Sequence, residues 1–65
     1  MRVQIICLEM PIKITDFIIR ENEHNFVICI NINLNVIQQY SVYIRELNYL
    51  KNKYLQCGEM VEEIA

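Results

Sequence analysis

The chain has almost no backbone punctuation: one glycine, Gly58, and one proline, Pro11, in 65 residues. So few turn-formers leave little room for loops, and most of the chain is expected in regular structure. No linker, internal repeat or low-complexity tract breaks it, so residues 1–65 read as one small domain. Histidine occurs once, as His24. A structural zinc needs four Cys or His ligands, usually in closely spaced pairs, and Cys7, Cys29 and Cys57 supply no such pair. An odd number of cysteines also leaves a thiol over in any disulfide scheme, which argues for a reducing compartment. No metal and no cofactor are expected.

Positive charge is scarce as well. Six Lys and Arg stand against eight Asp and Glu, for a net charge of −2, and they form no block. The electrostatic footprint of a general nucleic-acid binder is missing. No run of about 18 apolar residues exists to span a membrane. Residues 1–9 carry an apolar run, but Gln4 and Glu9 interrupt it and no small-residue cleavage site follows, so it reads as a first strand and not a signal peptide. A cytoplasmic protein is expected.

What is abundant is apolar surface. The chain is 54% hydrophobic, yet a domain of this size buries only about 60% of its unfolded surface and is marginal alone. The excess should emerge as an apolar patch of the kind that marks interfaces. A homodimer is the expected remedy.

Strands are expected over residues 2–9, 12–20 and 26–34, with Pro11 marking the turn after the first. Glu21–Asn25 is a polar hairpin connection in which Asn22 or Asn25 would take the left-handed conformation. The third strand alternates, with Phe26, Ile28, Ile30, Ile32 and Leu34 on one face and Asn31 and Asn33 on the other. A helix follows over residues 36–57. Asn35 is its N-cap and Gln38 completes a capping box. Val42, Tyr43 and Ile44 favour β structure, but an unbroken apolar seam runs through them and carries the helical reading. The seam is a heptad, with Tyr40, Leu47, Tyr54 and Val61 at a and Val36, Tyr43, Leu50, Cys57 and Ile64 at d. Gly58, after Lys51 and Lys53, suits a helix stop, with a short helical tail over 59–64 beyond it. The expected fold is α+β: a three-stranded antiparallel meander and one long C-terminal helix that dimerises. Ile37 and Ile44 widen the stripe early, so the first half is expected to cover the sheet and the narrower second half to meet another chain. Glu46 at g and Lys51 at e suit a parallel pairing, while bulky Tyr at two a positions favours a short, splayed contact.

Residue by residue, catalysis finds no footing. His24 sits in a polar turn, where solvation explains it better than a role as base or ligand. Cys29 and Cys57 fall on faces expected to be buried, where thiols behave as small hydrophobes. Glu59, Glu62 and Glu63 read as a solvated acidic tail. The expected oligomer interface is Tyr40, Tyr43, Leu47, Leu50, Tyr54, Cys57 and Val61. Tyr49, off the seam, and the amides Asn31 and Asn33 are candidates for contact with a partner protein. If both faces of the third strand are covered, those amides need partners inside the molecule. The expected function is non-enzymatic: a small intracellular homo-oligomer that binds another macromolecule as inhibitor, adaptor or accessory factor, by analogy with phage and mobile-element products. A dimeric nucleic-acid-binding regulator is the first alternative, and a metal- or thiol-dependent enzyme the second.

Overall fold

A computed structural model describes residues 1–64. The elements are β1 (Arg2–Leu8), β2 (Asp16–Arg20), β3 (Asn25–Asn31), α1 (Val36–Tyr54) and β4 (Glu62–Ile64). The class is α+β. The sheet is mixed, with strand order β2-β3-β1-β4, and not the antiparallel meander expected. β2 pairs antiparallel with β3, but β1 runs parallel to β3, with Val3 opposite Phe26 and Cys7 opposite Ile30.

The reason lies in β3. Phe26, Ile28 and Ile30 face α1, while Val27 and Cys29 are buried on the other side with Met10 and Ile6. A strand apolar on both faces is most stable at the centre of a sheet. β3 takes that place, and β1 and β2 flank it. The chain therefore leaves β1, crosses the end of β3 through residues 9–15, and returns along the far side as β2.

Asn31 makes the crossing stable. Its side chain is 1% exposed. Its Nδ2 donates to the carbonyls of Met10, Pro11 and Ile14 at 3.3, 3.2 and 2.7 Å, and its Oδ1 accepts from the Asn33 N–H at 3.0 Å. An amide nitrogen has two hydrogens, so one is shared between carbonyls. The Asn31 N–H donates to the Thr15 carbonyl and the Ile32 N–H to the Leu8 carbonyl, both at 2.9 Å. These bonds end β3 at residue 31, and residues 12–15 become part of the crossing. Here Ile14 N–H closes a turn on the Pro11 carbonyl.

The β2–β3 hairpin closes without a left-handed residue, since among the described residues only Gly58 has a positive φ. Asn22 instead folds the loop with its side chain. Its Oδ1 accepts from the His24 N–H and from Asn25 Nδ2, an Asx turn.

At the start of α1 the capping box forms, with Asn35 Oδ1 accepting from Gln38 N–H at 2.8 Å and Gln38 Oε1 accepting from Asn35 N–H at 3.2 Å. The helix lies on one face of the sheet. It covers the sheet from Val42 onward: Val42, Leu47 and Leu50 are 6%, 4% and 0% exposed, packed with Val3, Phe26 and Ile28. Its first turns are free, with Val36, Ile37 and Tyr40 at 80%, 78% and 66% exposure. The first turns therefore do not cover the sheet as expected, and the second half, expected to leave it, does. The helix starts beyond the ends of β1 and β3 and meets the sheet only as it runs back over it.

α1 ends at Tyr54. A turn through Gly58, φ 81°, leads into β4, where a helical tail was expected. Glu62 and Ile64 pair with Arg2 and Gln4 of β1. An isolated helix of so few residues cannot recover its nucleation cost, whereas a strand here satisfies the free edge of β1. The Met1 α-amino group locks the join, donating to Glu59 Oε2 at 2.8 Å and to the Met60 carbonyl at 2.9 Å.

Replacing Asn31 with Ala strips hydrogen bonds from buried carbonyls, and a loss of about 1–3 kcal/mol is expected. Chemical denaturation checks it. Leu50→Ala, at a fully buried position, should cost about 2–5 kcal/mol in the same assay, whereas a Leu50 in an intermolecular seam would show its effect mainly in the oligomer mass.

Candidate protein-binding surfaces

The residues expected to form one interface are scattered by the fold. Leu47 and Leu50 are core residues, and Val61 packs beside them. Tyr54 is half-buried, with its ring 4.9 Å from that of Phe26 and the Arg20 guanidinium 4.5 Å from its centroid. Tyr43 is half-buried against the core, 6.3 Å from Tyr40. Cys57 is exposed in the turn beyond the helix. Tyr40 is thus the only member of the set that is both on the helix and largely exposed. Of the partner-contact candidates, Asn31 is consumed by the crossing. Asn33 is exposed, although its Nδ2 reaches the Met10 carbonyl at 3.3 Å. Tyr49 is 47% exposed, and its hydroxyl accepts from Lys53 Nζ at 3.0 Å.

What the fold does gather is an apolar end. The crossing loop and the residue 32–35 turn are tied together by the Asn31 and Asn33 bonds. They present Ile12 at 88% and Ile32 at 55% exposure beside the free first turns of α1. Gln39 caps the join, its Nε2 donating to the Leu34 carbonyl at 2.8 Å. β propensity puts Ile12, and alternation puts Ile32, in strands that the structure ends short of them. The signal that places Ile12 is Pro11, which makes the residues after it a turn rather than a ladder.

A second apolar area lies on the sheet face away from α1, where Phe17 and Ile19 of β2 are 42% and 46% exposed and flank buried Val27 and Cys29. Met10 and Ile6 cover the β3 part of this face, and the β2 part stays exposed.

A cleft of about 410 Å³ between the hairpin and the end of α1 is lined by Arg20, Glu23, His24, Lys53 and Tyr54. Phe26 and Arg20 already pack against the Tyr54 ring there, which reduces the surface it offers for base stacking. His24 Nδ1 lies 3.6 Å from Glu59 Oε2. Burial pushes the Cys29 thiol up, opposite to the shift a nucleophile needs. No group of three His, Cys, Asp or Glu side chains among the described residues could hold a metal, and no helix is long and apolar enough to cross a membrane.

Two shifts report packing. Burial and the nearby Glu63 carboxylate push the Tyr43 phenol up to about 12. The neutral phenol is the folded form, so its contribution is intact below the ordinary phenol value and fades as pH rises toward 12. The Met1 α-amino group, helped by the Gln56 N–H, holds the Glu59 carboxylate below its usual range. That contribution is present above the ordinary carboxylate value and is lost as pH falls through the lowered one. A tyrosine absorbance titration should show one phenol ionising last, and Tyr43→Phe should remove that step. Thermal melts should fall on acidification, and Glu59→Gln should lower the neutral-pH melting temperature while flattening its acid dependence. No protein-family model, curated protein or solved structure matches the chain.

Proposed function

We propose that this chain is a non-enzymatic binding protein, an inhibitor, adaptor or accessory factor, that docks another protein on the apolar end where α1 begins. The observation that carries the reading is the exposure of Val36, Ile37 and Tyr40 beside Ile12 and Ile32. Large apolar side chains clustered at one end of so small a molecule mark an interaction site, and a tyrosine among them supplies the amphipathic anchor that protein interfaces favour. The partner should present an apolar surface of its own. The scattered charges, the occupied Tyr54 ring and the raised Cys29 thiol support binding over nucleic-acid regulation or thiol chemistry. Three free cysteines, one of them buried, support an intracellular, reducing setting. Self-association belongs to the same reading, since apolar surface remains on the sheet as well.

Ile37→Glu and Tyr40→Glu test it, because both side chains are exposed and each change should leave stability within about 0.5 kcal/mol. The expected result is an unchanged melting curve together with loss, in affinity purification from the native host, of a protein that the unaltered chain retains. Retention of the same proteins by both variants would show that this end is not the site. A gel shift at low salt addresses the alternative: binding that weakens steeply with added salt would favour nucleic acid.

A further inference from the structure

The sheet has two edges, and they differ. β4 is three residues long, and two of them are Glu62 and Glu63, a short, charged edge of the kind that discourages pairing. β2 has five residues, Asp16-Phe17-Ile18-Ile19-Arg20, with no proline, lysine or bulge to blunt it.

The direction of the β2 backbone groups follows from the ladder. Asn31 N–H donates to the Thr15 carbonyl, and Glu21 N–H to the Asn25 carbonyl. These bonds bracket β2 at odd positions. In an antiparallel ladder the bonded positions alternate, so Phe17 and Ile19 turn their N–H and C=O groups toward β3. Asp16, Ile18 and Arg20 turn theirs outward. β2 is the outermost strand on this side, and no turn or loop bond among the described residues uses those outward groups.

We infer that β2 pairs antiparallel with β2 of a second copy about a two-fold axis through Ile18, joining the two sheets into one of eight strands. This rests on the self-association in the proposed reading and gives it a surface distinct from the apolar end.

The register is chosen by the residues themselves. With Ile18 opposite Ile18, Asp16 stands opposite Arg20 of the partner and Arg20 opposite Asp16, so every outward backbone group finds a mate. Shifting the pairing by two residues leaves groups unpaired and sets charge against isoleucine. A one-residue slip places outward groups against groups already bonded to β3. Thr15 and Arg45 both donate to Asp16 Oδ1, and the Asp16 side chain is 6% exposed, so the carboxylate acts on a partner's guanidinium as a nearby charge and not as an open acceptor. Arg20 packs over the Phe26 and Tyr54 rings, and no carboxylate among the described residues pairs with it. On the sheet face away from α1 the same register sets Phe17 opposite Ile19 of the other copy. That is a non-hydrogen-bonded pair, where side chains come closest, so the exposed Phe17 and Ile19 cover one another. An opposite-charge pair and an aromatic–β-branched pair are both favourable cross-strand combinations.

Sedimentation and amide exchange over a dilution series test this on the unaltered chain. The mass should double from 7.8 kDa as concentration rises. In the dimer the Ile18 and Arg20 amides should exchange at least about tenfold more slowly than in the monomer, while Phe17 and Ile19, bonded within the chain, should be protected at every concentration. Arg20→Asp, which sets like charges opposite at both ends of the pairing, should weaken the dimer about tenfold. Ile37→Glu should leave it unchanged. A chain that is monomeric throughout overturns the inference, and so does a dimer whose Ile18 and Arg20 amides exchange at the solvent rate. Neither result touches docking at the apolar end, which affinity purification reads separately. If Arg20→Asp does not fold, the amide pattern of the unaltered chain decides.

Discussion

The Asn31 carboxamide holds the chain where it crosses the end of its own central strand. A strand that is apolar on both faces needs neighbours on both sides, and consecutive strands joined by tight turns would leave β3 at an edge. The crossing solves this, but it brings the carbonyls of Met10, Pro11 and Ile14 over the strand end, away from any ladder. A buried carbonyl without a donor is costly. One side chain with two amide hydrogens satisfies all three, while its oxygen starts the turn that leads into α1. The parallel pairing of β1 with β3, and through it the slot that β4 fills, follows from that arrangement.

The same crossing decides which surfaces are left open. Because β3 ends at residue 31 and α1 begins beyond the strand ends, the helix overhangs the sheet by its first turns. Its apolar residues there have nothing beneath them. The crossing loop adds Ile12 at the same end. On the other side, the return of the chain as β2 creates a long edge strand whose outward groups are unused. The buried face of this small protein is therefore concentrated under Leu47, Leu50 and Tyr54. Much of the remaining apolar side-chain surface is divided between one end and the β2 side of the sheet.

The electrostatics fit that picture. Two ion pairs sit at joins: the Met1 α-amino group with Glu59 at the start of β1, and Arg45 with Asp16 between α1 and β2. Pairs this near the surface contribute little individually, but each ties two elements far apart in the chain. Two of the shifted groups, Tyr43 and Glu59, report burial and pairing with a nearby charge.

Much of α1 was legible in the sequence alone: the cap at Asn35, the seam through Tyr43, Leu47, Leu50 and Tyr54, and the period-two pattern of β3. Those signals are local, written in spacings of two, three and four residues. The apolar excess was legible too, since composition and length are enough to show that not all of it can be buried. What the seam packs against was not legible, because a heptad of apolar residues has the same spacing whether it faces a sheet or another helix. Strand order was equally hidden, because Val27 and Cys29 looked like incidental β-formers until the second face of β3 was seen to be covered. Asn31 looked like a member of a wet row, because an amide's worth depends on carbonyls some 20 residues away in the chain. The tail at 62–64 had helical spacing and became a strand, because the free edge of β1 offered hydrogen bonds that a single helical turn could not match. Tertiary structure alone decided these points, for in each the energy lies in a pairing between distant segments and not in the segment itself.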